Sequence, residues 1–349
     1  MRSLAYGAFI IAVLSPGMAA ADAMPPAAKE GPPQLLAEDA AVIGEAYHLW
    51  KSVGDKVWAG WTKISIPIIY ITADYEYAVD FPKTLAGAHT LEQTLLPGKS
   101  VQVRKRKHDA NLAASFDVEG TSAVVMGCPA GLEKSAGEWV ITALHEMFHV
   151  LQTSRGSIEK VRELHIGPDT DASWQLTFPF PYKDADVMRL IHLQGYLCYL
   201  AITSTNTGDC QYAAGTALEA AQVYEKFLAQ QDPNGRAAKY SKFQEWTEGA
   251  ALYTECKIAE AASSDYRPTE AFRQLKGFLP YSELWKNRYQ GQIFLAKHAG
   301  RAARSRLTFY HLGLSKCLLL DRLAPDWKKH YFERAVWLND LLANAVRSK

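Results

Sequence analysis

Trp139-Val140-Ile141-Thr142-Ala143-Leu144-His145-Glu146-Met147-Phe148-His149-Val150-Leu151 is apolar on nearly every side at helical period, yet it carries two histidines and a glutamate. Such a run marks a buried helix. Two imidazoles and a carboxylate inside it cost on the order of 2 kcal/mol or more per unpaired group unless something satisfies them. A metal ion would do so. His145 and His149 stand four residues apart and project from one face, one turn from the other. Glu146 is offset by one position, set to act on water beside the ion rather than to bind the ion. The plain alternative is a pair of hydrogen-bonded core histidines with a glutamate reaching the surface.

Zinc, the ion this HExxH spacing suits, needs a third protein ligand and one open position. The best source is Glu245-Trp246-Thr247-Glu248-Gly249-Ala250-Ala251-Leu252-Tyr253-Thr254-Glu255, which reads as a second helix. Ser241 to Gln244 have the spacing of a capping box at its start. Phe243, Trp246, Ala250 and Tyr253 make one apolar stripe, and Glu248 lies off it, on the face of Ala251, Leu252 and Glu255. The small residues Gly249, Ala250 and Ala251 would let this helix approach the first one closely. A mid-helix glycine costs roughly 1 kcal/mol against alanine, so Gly249 calls for a packing reason.

HExxH on one helix and W-x-E-G-x-A-x-Y on a later one resembles the gluzincin zinc metallopeptidases, in particular secreted bacterial members whose third ligand is the Glu of an E-G-x-A-x-Y segment. The matching residues are His145, Glu146, His149, Glu248, Gly249, Ala251 and Tyr253, with a weaker match at Phe309-Tyr310-His311-Leu312-Gly313. The resemblance implies a zinc hydrolase core over roughly residues 60–330, with His145, His149 and Glu248 holding Zn2+ and Glu146 as general base. It also implies a downstream oxyanion donor. Tyr310 is preferred, with His311 and Tyr253 as other candidates. Peptide or protein is the implied substrate. A non-peptide amide or ester hydrolase, or an inactive zinc protein that binds peptides or cell-wall fragments, are the other readings.

The chain also departs from that pattern. Glu248 lies about a hundred residues beyond His149, whereas compact members place it a few turns on. Leu252 stands where those members carry an Asp supporting the first His, and Glu255 is the substitute. Arg155 occupies the place where the metzincin extension would need a His. Asp169, Asp171, Glu159, Glu163 and His165 are rival third ligands.

With 349 residues and 48% hydrophobic content, the chain can bury a full core. A net charge of +1 argues against nucleic acid or an anionic membrane as main partner. Arg2, the apolar run Leu4 to Leu14, and Ala19-Ala20-Ala21 or Ala21-Asp22-Ala23 read as a signal peptide over 1–23. No other segment reads as a membrane span, so a secreted or periplasmic protein is expected. The cysteines are Cys128, Cys198, Cys210, Cys256 and Cys317. An odd count leaves at least one free thiol or an intermolecular bridge, and Cys198 with Cys210, flanking a turn, is the expected pair.

The expected fold is α+β and predominantly helical. A small N-terminal mixed or antiparallel sheet packs on the motif helix, and a helical C-terminal part follows. A flexible linker covers 24–35, and a helix-plus-sheet subdomain covers 36–135, with a helix over 35–57. A helical subdomain covers 136–349, with an insertion at 155–236 between the two ligand helices. Strands are expected around Ile64–Ile71, where Pro67 suggests an edge or bulge, and at Tyr75–Phe81, Val101–Lys107 and Thr121–Met126. By the resemblance, Ala123 to Val125 are candidates for a cleft wall that binds extended peptide by strand addition. Helices are expected over 184–204, 209–231, 237–262, 281–301, 306–323 and 329–347, and 166–182 reads as loop. N-terminal sequencing of exported protein should find a start near Asp22 or Met24; cytosolic material that keeps Met1 would refute the leader.

Overall fold

Period-two patterning over residues 68–127 gives strands whose two faces bury different partners. The computed structural model describes residues 11–12, 33–92, 95–167, 174–301 and 305–347. The leader expected over 1–23 and the linker over 24–35 lie outside these, apart from residues 11–12 and 33–35. The strands are β1 (Ile11–Ala12), β2 (Ile68–Ile71), β3 (Tyr75–Val79), β4 (His89–Thr90), β5 (Val101–Lys105), β6 (Ala113–Val118) and β7 (Thr121–Gly127). They form one mixed sheet in the order β1-β6-β7-β2-β3-β5-β4, with β2 and β7 parallel. Ile68, Tyr70, Tyr77, Val79, Val124 and Met126 face the main core. Ile69, Ile71, Ala78, Ala123 and Val125 face the other way, onto Phe81 and Leu85.

Two expectations for the sheet change. β2 is interior, not an edge. Pro67 precedes it, and the Pro67 carbonyl accepts the Val124 N–H at 3.0 Å, so the missing donor breaks no ladder. β7 is interior too, bonded to β6 and β2 on its two sides. Ala123 to Val125 therefore have no free edge and cannot add a peptide strand. The β6–β7 hairpin turns at Glu119 (φ 51°) and Gly120 (φ 84°), the two positive angles of a type I′ turn.

Helix α1 (Ala37–Val57) and helix α2 (Ala136–Ser154) make extensive contact with each other, and α2 also packs on β6 and β7. Ser135 caps α2: its hydroxyl accepts the Glu138 N–H while Glu138 Oε2 accepts the Ser135 N–H. Trp139 Nε1 donates to the Gly127 carbonyl at 2.6 Å, tying the helix to the end of β7. Every residue from Trp139 to Gln152 is buried, as the all-round apolar pattern requires.

The helical part comprises α3 (Ser157–Arg162), α4 (Trp174–Thr177), α5 (Ala185–Thr203), α6 (Thr207–Gln231), α7 (Arg236–Gln244), α8 (Ala250–Ala262), α9 (Glu270–Arg273), α10 (Tyr281–Leu284), α11 (Gln292–Ala296), α12 (Leu307–Leu323) and α13 (Leu338–Arg347). The α+β, mostly helical architecture is thus as expected, and α3 to α6 separate the ligand helices in sequence. Ser241 is not a cap. It lies inside α7, which starts after Gly235 (φ 65°), and its hydroxyl donates to the Ala238 carbonyl. The helix expected over 281–301 is interrupted by a π-helical turn, Trp285–Tyr289. The one expected over 329–347 begins only at Leu338. Buried Lys160 takes the carbonyls of Glu333 and Val336, which pulls that stretch out of helical pairing. None of the five cysteines is in a disulfide, and Cys198 lies against Ser315 and Lys316 of α12 rather than bridging to Cys210. Among the described residues no helix is long and apolar enough to cross a membrane.

A second π-helical turn, Glu245–Gly249, joins α7 to α8 and carries Glu248. Gly249 does not meet α2, as its position suggested, but crosses α12 backbone to backbone. A Cβ on Gly249 would lie 2.4 Å from Gly313 Cα, and one on Gly313 would lie 2.3 Å from the Glu245 carbonyl oxygen. Both partners are backbone, so neither can yield cheaply. Gly249→Ala and Gly313→Ala should each lower unfolding stability by about 1–3 kcal/mol or more in denaturant titration. A change below a few tenths in both would disprove the close crossing.

Candidate metal centre

His145, His149 and Glu248 come together from α2 and the π turn, and all three are fully buried. His145 Nε2 lies 3.5 Å from Glu248 Oε2, and His149 Nε2 lies 3.6 Å from the same oxygen. These distances are too long for good hydrogen bonds, and none of the three atoms has a hydrogen-bond partner. A tetrahedral ion with bonds of about 2.0–2.1 Å spaces its ligand atoms about 3.4 Å apart. The two imidazole-to-carboxylate spacings are close to that edge, and all three atoms lie within 4.8 Å of one another.

The outer ring nitrogens fix the tautomers. His149 Nδ1 bonds Gln152 Oε1 at 2.6 Å. The Gln152 amide nitrogen donates to the Tyr331 hydroxyl and the Thr247 carbonyl, so Oε1 is the acceptor and Nδ1 the donor. Neutral His149 then aims the Nε2 lone pair at a carboxylate, a repulsion that a cation between them reverses. His145 Nδ1 bonds Glu255 Oε1 at 2.5 Å, the supporting role suggested for Glu255. Glu248 Oε1 accepts from Arg306 at 3.2 Å, which leaves Oε2 for an ion. This buried group can hold a metal ion.

The electrostatics follow from burial and these partners. Burial disfavours the His145 imidazolium, but Glu248 and Glu255 outweigh it and raise its pKa to about 10. Burial lowers that of His149. Burial also pushes Glu248 up, yet Arg306 and the two imidazoles outweigh it and hold the carboxyl well below the usual range. Glu146 is raised to about 8, chiefly by burial, with Glu248 and Glu255 adding and His145 opposing. Neither Glu146 oxygen has a partner, and the residue binds none of the three ligand atoms.

The downstream candidates differ sharply. The Tyr310 ring stacks on His145 with centroids 6.3 Å apart, and its buried hydroxyl has no partner. His311 Nδ1 is bonded to the Leu307 carbonyl of its own helix at 3.1 Å. Tyr310 and His311 line a cavity of about 140 Å³ with His145, Glu255, Leu252 and Gln292. Tyr253 is spent elsewhere: its hydroxyl donates to Asp321 at 2.8 Å. Of the rival ligands, Asp169 and Asp171 lie outside the described residues. Glu159 and His165 are exposed, and Glu163 pairs with Arg334 at the surface.

Three participants escape a sequence reading. Gln152 stands one turn beyond His149, and a polar residue on that face of an apolar helix is the signal that could have named it. Arg306 and Tyr331 reach the site from far along the chain and leave no local signal.

One divalent cation per chain should bind, and His149→Ala and Glu248→Gln should lose it. Glu255→Gln and Gln152→Leu keep all three ligands but loosen their orientation, so affinity should fall about 10–100-fold. A cation at a hundred times its Kd should add about 2.7 kcal/mol of stability. Competition with a chromophoric chelator and thermal unfolding measure both; full occupancy in His149→Ala refutes the site. No family model, curated protein or solved structure matches this chain, so what the site does is read from its own residues.

Proposed function

We propose that this chain is an exported, zinc-dependent peptidase. The observation that carries the reading is Glu146, a buried carboxylate with two unpaired oxygens, beside but outside a three-atom ligand set. A pure binding site has no use for such a group, whereas hydrolysis needs a base there. The donor set of two imidazole nitrogens and one carboxylate oxygen favours zinc over oxygen-loving cations. The likeness of the two motifs to the gluzincin peptidases supports the same conclusion, as does the leader pattern for export.

Zinc, when bound, supplies Lewis acidity towards a carbonyl oxygen and a water molecule. The chain's own residues do the rest. Glu146 takes a proton from water on a carboxylate oxygen and returns it to the leaving amine. Burial raises its proton affinity in the metal-free chain, and a bound dication would lower it, so that Glu146 is ionised when it acts as base and can still hold the proton it passes on. The unpartnered Tyr310 hydroxyl, in a ring stacked on His145, donates to the oxyanion as the carbonyl becomes tetrahedral. Glu255 and Gln152 keep the imidazoles turned to the ligand position.

Glu146→Gln keeps shape and removes basicity. It should retain zinc and lose peptide hydrolysis by several orders of magnitude. Tyr310→Phe should lower kcat about 10²-fold with little change in KM. Steady-state kinetics on a peptide library, with zinc content measured in parallel, tests both. Wild-type cleavage rates in Glu146→Gln would sink the mechanism. A zinc-loaded wild type inert across the library would move the non-peptide and binding readings ahead.

A further inference from the structure

A second group of unmet polar atoms adjoins the metal centre. Tyr240, Gln244 and Glu248 succeed one another every four residues, so they share one face of α7 and the π turn. Gln244 is fully buried, and neither its Oε1 nor its Nε2 has a partner. Gln175 of α4 is in the same condition. It is held beside that face, since its backbone carbonyl accepts the Tyr240 hydroxyl at 2.8 Å. The buried Tyr182 hydroxyl belongs to a third polar group here, and it lies beside Tyr240 and near Arg306. Aromatic rings surround them: Phe178 stacks on Tyr240 at 4.3 Å, and Phe309 contacts both Phe180 and Tyr240.

Each such atom costs about 1–3 kcal/mol if nothing meets it. Two whole carboxamides without partners, one a turn before Glu248 and the other on α4 beside Tyr240, call for an explanation. The chemistry of what would meet them is specific. A carboxamide donates and accepts, and so does a hydroxyl, so the complement must do both. No charge is left over, because the nearby cation, Arg306, is paired with Glu248.

We infer that Gln244, Gln175 and Tyr182 form a substrate subsite that takes an uncharged hydrogen-bonding side chain, a carboxamide, from a peptide lying against Glu248. This rests on the peptidase reading. Selectivity here works by leaving buried groups unmet when the wrong side chain enters. A methionine presents no donor, and a glutamate presents none and brings an unpaired charge.

The test uses zinc-loaded Glu146→Gln protein, so that binding is read without turnover. Peptide sets identical except for Gln, Met or Glu at one scanned position are titrated by calorimetry. At one position the Gln peptides should bind about tenfold or more tighter than the Met and Glu peptides, as one or two hydrogen bonds imply. Gln244→Leu in the same background should retain zinc and erase that preference, and Gln175→Leu serves should the first variant fail to fold. Equal binding of Gln and Met peptides at every position overturns the subsite. So does a Gln244→Leu protein that loses stability but keeps the preference, for then the amide serves only to hold buried water. The peptidase reading is judged separately: wild type that cleaves these peptides without preferring Gln refutes the subsite alone. Wild type that cleaves none, with no peptide bound, refutes both.

Discussion

Two imidazole nitrogens, each about one tetrahedral edge from the same carboxylate oxygen and all three buried with no hydrogen-bond partner, are the constraint on which this structure turns. Bare, they repel: a lone pair of His149 faces the charge of Glu248. With a cation among them, all three are satisfied at once. The apolar all-round character of α2 makes the arrangement demanding, since its buried surroundings offer these atoms no hydrogen-bond partner among the described residues. The same character makes it rigid. His145 and His149 sit on a helix capped at Ser135 and tied to the sheet through Trp139, so the ligands inherit the stiffness of the core.

Glu248 reaches the site by a different device. A regular helix through residues 236–262 would give each side chain its ordinary spacing; the π turn at Glu245–Gly249 inserts a local widening where the ligand stands. That turn survives because α12 presses on it through Gly313, with no side chain on either strand of contact. The crossing also explains why α12, remote in sequence, supplies Tyr310 at its inner face. Glu245 on the same turn pairs with buried Lys316 of α12, a second fastening between the two elements. On the far side, Trp246 stacks on Tyr331, whose hydroxyl accepts from Gln152, which in turn orients His149. Lys160, between the indoles of Trp246 and Trp337, anchors the loop that carries Tyr331. The ligand set is thus held by contacts from five separated stretches of chain.

That dispersal decides what could be read in advance. HExxH was legible because its two histidines are near neighbours in one helix, and Glu248 because a carboxylate followed by glycine is costly in mid-helix. The sheet strands and most of the long helices were legible from local pattern too, and Glu255 was suggested by the gluzincin resemblance. Pairing was not: β7 looks like an edge strand in isolation, and only its parallel partner β2 shows that both sides are used. The purpose of Gly249 was misjudged for the same reason, since its partner is another glycine across the fold. Arg306, Tyr331 and the unmet amides of Gln175 and Gln244 carry no periodic signature at all. They acquire meaning only from what lies beside them.

Charge binds these pieces together. Glu146, Glu248 and Glu255 contribute three negative charges around the site, and Arg306 contributes one positive, which leaves two negative charges when both histidines are neutral. A dication brings that sum to zero. The chain's response without one is visible in its own proton affinities: Glu248 and Glu255 raise His145 to about 10, and burial, helped by the same carboxylates, raises Glu146 to about 8. Two proton-binding groups thus answer an excess of two negative charges. A cation that met the excess would lower both affinities together, freeing His145 to act as a neutral ligand and Glu146 as an ionised base. On the proposed reading, ligand competence at His145 and basicity at Glu146 are a single electrostatic property of this cluster.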